Sequence, residues 1–310
     1  MKIHMTKYLY TTLGPKRREE LGIILPHEHV FVDLRVPDAP GYAQADTDAV
    51  VRLMAPQIEA IKAQGVTALV ECTTCGVGRR ADIDLAVSRA TDLPIVVPTG
   101  NYREPWIPAW VAGATEEALE QWMVSELTGG IEDSGVVAGW IKVSAGDNGI
   151  TPLEARILRA AARASVQTDA VIGSHTIRGK VAMEQLDILE AEGCSADRFI
   201  SIHTQEEQDF GLHRALVDRG AWIEYDHVGR APDDELLAMV TRAIEFELTH
   251  HLLLSHDLGW YDPAQPGGGV PRPYTHLLGN LMPLLKVAGV DEGSLRQITE
   301  ANPFEAFARG

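Results

Sequence analysis

The stretch "GIILPHEHVF" (22–31) ends an apolar run on two histidines one residue apart, His27 and His29. On a strand, side chains at i and i+2 share a face. The two imidazoles would therefore stand together while Glu28 points away, which is a chelating geometry. Other apolar runs also finish on chemistry-bearing residues: Lys142 in "GWIKVSAG", His175 in "AVIGSH", His203 in "FISIH", Asp226 and His227 in "AWIEYDH", and Asp257 in "HLLLSHD". With only 11 histidines in 310 residues, so many in one kind of position imply a shared site. Imidazoles and carboxylates converging on one mouth point to a divalent metal. Lys142 is the odd member, because an ammonium buried beside cations is disfavoured. Either it pairs with an acid at the rim, or carbon dioxide carboxylates the amine and makes it an anionic ligand.

The elements that must position these residues follow a repeating pattern. Short β-branched runs at 22–27, 66–72, 94–100, 136–143, 170–175, 199–203, 221–226 and 251–257 alternate with amphipathic segments at 48–63, 79–90, 115–127, 152–165, 179–192, 206–219 and 232–247. Alternation of this kind predicts βα units around a parallel sheet. Eight of them predict an α/β fold, a (β/α)8 TIM barrel. No linker or composition shift divides the chain, so residues 1–310 are expected to form one domain. In such a barrel the chemistry lies at the C-terminal ends of the strands, where the candidates above are found. The Gly- and Pro-rich stretch "YDPAQPGGGVPRPYTH" (261–276) is expected to be a long loop on that face.

Composition narrows the partners. Asp and Glu number 44 against 27 Lys and Arg, a formal charge of -17 that argues against nucleic acid and anionic membranes. The first residues, "MKIHMTKYLYTTLG", lack the apolar segment of a secretory signal, and no run is long enough for a transmembrane helix. A cytoplasmic protein acting on a small molecule is the expectation. The cysteines, Cys72, Cys75 and Cys194, do not suggest a disulfide framework. Cys72 and Cys75 form a C-x-x-C that is either redox-active or, more simply, two packing thiols.

In order and spacing, "TTLGP", "LPHEH", "IKV", "SHT" with "EQLDILEAEG", "IH", "LSHD" and "NPFEAF" span residues 11–307 and resemble the phosphotriesterase family of the amidohydrolase superfamily. That resemblance implies a (β/α)8 metallohydrolase with two divalent ions bridged by a carboxylated lysine and a hydroxide. Carried over, His27, His29 and Asp257 would hold the buried metal, His175 and His203 the more exposed one, and Lys142 would bridge them. The hydroxide would attack and Asp257 would take its proton. Zinc suits these ligands, and so do manganese, cobalt and iron. Glu28, Ser174 and His256 match no ligand position; Glu28 is expected to support the site or the structure, and His256, pointing opposite to its strand neighbour, to be a core or outer-face histidine.

Substrate choice rests on fewer residues. In "PTGNYREPW", Tyr102 stands where the lactone-hydrolysing branch of the family carries a tyrosine. In "EYDHVG", His227 instead resembles the organophosphate hydrolases, whose histidine relays a proton to a further acid. Glu206 in "HTQEE" offers that acid, or else caps the sixth helix. Arg178 and Lys180 either recognise a substrate anion or form a solvated loop with Glu184. Trp106, Trp110, Trp260 and Tyr261 either wall an apolar pocket, with Trp260 against substrate, or make subunit contacts in a homodimer. A lactone or related carboxylic ester is the expected substrate, with phosphotriesters as a side activity. Amide or carbamate hydrolysis and a barrel that binds without turnover are the alternatives. The complete ligand set opposes the last, since a site released from chemistry has no reason to keep a carboxylatable lysine.

Overall fold

The computed structural model describes residues 6–310; residues 1–5 of the N-terminal stretch lie outside it. Eight parallel strand regions follow one another in the chain: β1 (Ile23–Phe31), β2 (Val66–Glu71), β3 (Ile95–Val96 continued by Pro98–Thr99), β4 (Trp140–Ser144), β5 (Ile172–His175), β6 (Phe199–Ile202), β7 (Trp222–Tyr225) and β8 (Leu252–Leu254). Each pairs in parallel with the next from β1 to β8. Closure comes from a segment that the sequence placed at the edge of a loop. After β8 the chain runs on to Gly259–Tyr261, which pairs in parallel with the end of β1, and the Asp257 amide donates to the His27 carbonyl at 3.1 Å. The fold is therefore a TIM barrel.

Among the described residues seven longer helices follow the first seven strands, α1 (Thr47–Lys62), α2 (Ala81–Thr91), α3 (Glu116–Thr128), α4 (Pro152–Thr168), α5 (Gly179–Ala191), α6 (Phe210–Asp218) and α7 (Asp233–Glu245), with shorter ones at Ala109–Gly113, Met282–Val287, Glu292–Arg296 and Asn302–Phe307. Their starts are chemically marked. Asp46 and Thr115 accept the amides three residues on, and Thr151 with Glu154 forms a reciprocal cap ahead of Pro152. The sixth helix begins later than the sequence suggested. Residues 204–206 form a separate 3-10 turn, so Glu206 does not lie in its first turn.

The barrel interior divides along its axis. At the N-terminal end Ile24, Ala68, Val70, Trp140, Ile200, Trp222 and Leu253 pack with Leu9, Phe304 and Phe307, so both ends of the chain plug the bottom. Towards the other end the same inward columns turn polar: Trp222, Glu224 and Asp226 in β7 and beyond, Trp140, Lys142 and Ser144 in β4. In β1 a register shift between Leu25 and Glu28 lets Ile24 and His27, an odd spacing apart, both face inward. Among the described residues no helix is long and apolar enough to cross a membrane.

Candidate metal centre

Two glycines bring the flanking loops into place. Gly100 (φ 99°) lies against the Lys142 carbonyl, where a Cβ would come within 2.3 Å, and Gly259 (φ 99°) lies as close to the His29 carbonyl, at 2.0 Å. No side chain fits at either position. Tyr102 follows the first and Trp260 the second.

The first group of donors is His27, His29 and Asp257. Asp257 Oδ1 sits 3.0 Å from His29 Nε2 and 3.5 Å from His27 Nε2. The opposite ring nitrogens are already engaged. His27 Nδ1 lies 3.2 Å from both Glu224 Oε2 and Asp226 Oδ2, and His29 Nδ1 is bonded to the Thr73 hydroxyl at 2.7 Å. Burial opposes charge on Asp257, but hydrogen bonds from the two histidines overcome it and hold the carboxyl well below the usual range. Burial likewise opposes charge on His29, and Asp257 with Glu71 raises it above the ordinary imidazole value.

The second group is His175 and His203. His203 Nε2 and His175 Nδ1 face each other at 2.8 Å, with the Tyr102 hydroxyl 3.1 Å from the same Nδ1. His203 Nδ1 donates to Asp226 Oδ1 at 2.7 Å, and Asp226 also accepts from the His203 amide and from Gln205. Asp226 lies near enough to His27 and His203 to join them around an ion, yet its bonds are spent on orienting them. Burial, His203 and Lys142 push His175 well below its usual value, so its ring is neutral.

This donor set fits metal ions. In His27, His29 and His203 one nitrogen is held by an acid or hydroxyl and the other is turned to the shared space, the arrangement that fixes a ligating tautomer. Asp257 is held toward the ionised form and His175 toward the neutral one, the forms that ligation needs, while His27 and His29 are raised toward the protonated form that a metal would displace. His203, Asp257 and Trp260 adopt left-handed φ of 63°, 54° and 70°. Such strain in non-glycine residues persists where the surroundings over-determine it, and it clusters at functional sites. Lys142 is 2 % exposed, with Nζ 5.7 Å from the Trp140 ring centre, and pairs with no acid among the described residues.

Other expected residues fall where they can be judged. His227 Nδ1 lies 2.8 Å from Glu206 Oε1, and a donor atom of His227 lies within 4.8 Å of ligand atoms of His203 and Asp257. That pair borders a cavity of about 590 Å³ between α6 and α7, lined also by Gln205, His213 and Arg242. Trp260 packs edge-on against His29, ring centres 5.7 Å apart. Trp106 does the same to Tyr102 at 5.5 Å. Arg178 is exposed at the cap of α5 and pairs with no acid among the described residues. Glu28, unexposed, binds Ser255 Oγ at 2.8 Å and both nitrogen groups of His256 that face it. Because His256 Nε2 accepts from the Leu277 amide, its proton is on Nδ1.

The sequence reading missed Arg230, whose Nη1 is ion-paired with Asp257 Oδ2. It lies in a turn without periodicity, so only the proximity of His227 hinted at it. Glu224, fully buried below His27, was read only as part of a strand; a carboxylate in an inward column was the signal.

The family model for the phosphotriesterase family matches residues 7–307. The chain belongs to the phosphotriesterase family. It is 32% identical, over 319 aligned positions, to a phosphotriesterase homology protein of Mycobacterium tuberculosis, with 97% of this chain and 98% of that one covered. A mutant of an organophosphorus hydrolase from Deinococcus radiodurans superposes with a TM-score of 0.87 at 30% identity, covering 98% of each chain. An N-acetyltaurine hydrolase of Dictyostelium discoideum is 27% identical over 262 positions, 80% of this chain and 70% of that one. This phosphotriesterase-family chain is a metal-dependent hydrolase, and it carries His and Asp clusters that could hold metal ions.

Proposed function

We propose that this hydrolase opens a lactone or cleaves a related carboxylic ester at a two-metal centre. His27, His29 and Asp257 hold the deeper ion, His175 and His203 the outer one, and a carboxylated Lys142 contacts both. Zinc suits these nitrogen and oxygen donors, with manganese, cobalt and iron chemically compatible. When bound, such a pair acidifies a water and polarises the scissile carbonyl.

Tyr102 is the observation that carries the substrate class. Burial pushes its hydroxyl up to about 12, so it remains a proton donor at neutral pH, 3.1 Å from a ligand nitrogen. A planar ester carbonyl entering there meets one hydrogen bond from above. A phosphotriester needs room for three substituents about a tetrahedral centre, and Tyr102, Trp106 and Trp260 crowd it. Burial of Lys142 without an acid supports its carboxylation: carbon dioxide bonds to the neutral amine, a proton leaves, and an anionic carbamate remains. Asp257 serves as proton acceptor, and the contact of His227 with Glu206 supports a path onward to solvent. An amide is the second reading, favoured by the likeness to an N-acetyltaurine hydrolase.

Metal-analysed protein should carry close to two divalent ions per chain, and labelled bicarbonate should give a carbamate carbon signal. One ion and a free Lys142 amine would overturn the binuclear site. The kcat/KM values for lactones, acyl esters, N-acyl amides and paraoxon, measured side by side, should rank lactones or esters first. A phosphotriester that equals or exceeds all of them would overturn the substrate class.

A further inference from the structure

Asp257 is bound on both sides. Oδ1 faces the two histidines, while Oδ2 is taken by Arg230 Nη1, which also reaches the Asp257 carbonyl at 3.5 Å. Arg230 approaches from the turn after His227, and its amide donates to the His227 carbonyl at 2.9 Å. The backbone is fixed there, while the side chain remains about a third exposed at the mouth (32%). A guanidinium presents a fork of five N–H groups that matches two oxygens of a carboxylate or phosphate. Only Nη1 is used; Nε and Nη2 take no protein acceptor among the described residues.

A second observation falls on the same rim. The Trp260 indole N–H is buried without a hydrogen-bond partner, a costly state for a donor that needs an acceptor. Its residue is held at φ 70° beside His29, and the Arg272 guanidinium carbon lies 4.2 Å from its ring centre. Trp260 thus touches His29 and Arg230 touches Asp257, two donors 3.0 Å apart, in a chain whose overall charge is -17. The general field of the molecule repels anions, so a cation at this rim acts locally.

We propose that Arg230 determines substrate specificity by binding an anionic oxygen group, a carboxylate in the first instance, on the ester or lactone. Resting on the hydrolase reading above, the inference adds to it the charge of the substrate. Without substrate, Arg230 rests on Asp257 Oδ2. With it, the unused prongs engage the substrate anion, and the Trp260 N–H gains an acceptor at the same end.

The test uses matched substrates, γ-butyrolactone against 5-oxotetrahydrofuran-2-carboxylate, and methyl acetate against monomethyl succinate. Wild-type protein should prefer the charged member of each pair. Arg230→Gln should reduce that preference by about 10- to 100-fold, as expected for losing charge-assisted hydrogen bonds, with Arg230→Lys intermediate and metal content unchanged in both. Calorimetric titration with succinate, methylphosphonate and ethanesulfonate gives a readout independent of turnover: affinity should fall at least about tenfold in Arg230→Gln. The three probes distinguish carboxylate, phosphonate and sulfonate as the bound group. A wild-type preference for neutral substrates, or succinate affinity unmoved by Arg230→Gln, would overturn the role of Arg230. Absence of turnover on every ester and lactone, with anion binding still dependent on Arg230, would overturn the ester reading and leave the anion site standing.

Discussion

The deeper and outer halves of the centre are built from the same residue types and held in different ways. His27, His29 and Asp257 are tied into the barrel wall. Glu28 fastens Ser255, His256 and the Leu258 amide to β1, and Glu71 accepts from the Val30 amide at 2.6 Å. Around His175 and His203 the neighbours lie nearer the mouth: the Tyr102 hydroxyl on His175, the His227 and Glu206 pair beside His203, and Arg230 reaching Asp257 from the following turn. The difference teaches that one half is set in a dense wall of buried acids and hydroxyls, while the other, though His203 is held by Asp226, also borders groups at the mouth that can change partner when substrate arrives. Asp257 belongs to both halves, with one oxygen on each side.

That position makes Asp257 the place where the contrast breaks. Asp257→Asn removes a ligand charge, the proton acceptor and the partner of Arg230 together, and should lower kcat/KM by about 100-fold or more while metal content falls. Near-normal turnover would assign the proton to another group. Asp226→Asn should break chiefly the outer half, since among the described residues His27 keeps Glu224 as a partner and His203 keeps none. Losing the acceptor that orients His203 should weaken one of the two bound ions by about 10- to 100-fold and leave the other in place, as read by zinc titration against a competing chelator. Equal weakening of both ions would show that the halves are not separable, with Asp226 acting through His27 as well.

Much of this was legible from the residues, and what was not has physical reasons. The eight strands and the donors at their ends follow from period and position, which the sequence carries directly. β1 runs beyond its expected end at 27 to Phe31, while the other seven strands are shorter than their apolar runs, because a run such as 136–143 contains the approach to the barrel as well as the pairing segment that begins at Trp140. The closing segment Gly259–Tyr261 was invisible: three residues show no period, and their pairing depends on Gly259 allowing close approach to His29. The N-terminal hairpin Leu9–Thr11 with Gly14–Lys16 and the last helix, Asn302–Phe307, went unread for the same reason, since they plug the barrel bottom against partners distant in sequence. Candidate donors could be read one by one, Asp226 among them at its strand end; the supporting roles of Thr73, Asp226 and Glu224 could not, because nothing local marks a side chain as the partner of a histidine on another strand.

Proton competition sharpens the comparison further. In the metal-free protein His27 and His29 are raised above their ordinary value and His175 is lowered below its own. Between the usual imidazole value, 6.5, and the higher value of His29, that ring holds a proton which a metal must displace, whereas His175 is already neutral. Metal affinity should therefore rise with pH through this window, about tenfold per pH unit for each proton displaced. Calorimetry in two buffers of different ionisation enthalpy should detect the released proton near neutrality. His29→Ala should diminish that release and His175→Ala should not; the reverse order would invert the electrostatic contrast.

The smallest effect expected is at Tyr102. Tyr102→Phe keeps the ring against Trp106 and removes only the hydroxyl beside His175, so metal content and fold should be unchanged. If that hydroxyl holds the planar carbonyl of a lactone, its loss should cost about 1 kcal/mol of transition-state stabilisation, close to fivefold in kcat/KM. The cost should be confined to planar carbonyl substrates, because a tetrahedral phosphotriester approaches the same wall with a substituent where the carbonyl would lie. Parallel kcat/KM measurements on a lactone and on paraoxon separate the cases. A fivefold fall for the lactone with paraoxon unchanged or improved makes Tyr102 a selector of geometry. An equal fall on both would show that the hydroxyl orients His175 for every substrate, and the choice between lactone and phosphoester would pass to the turn that carries His227 and Arg230.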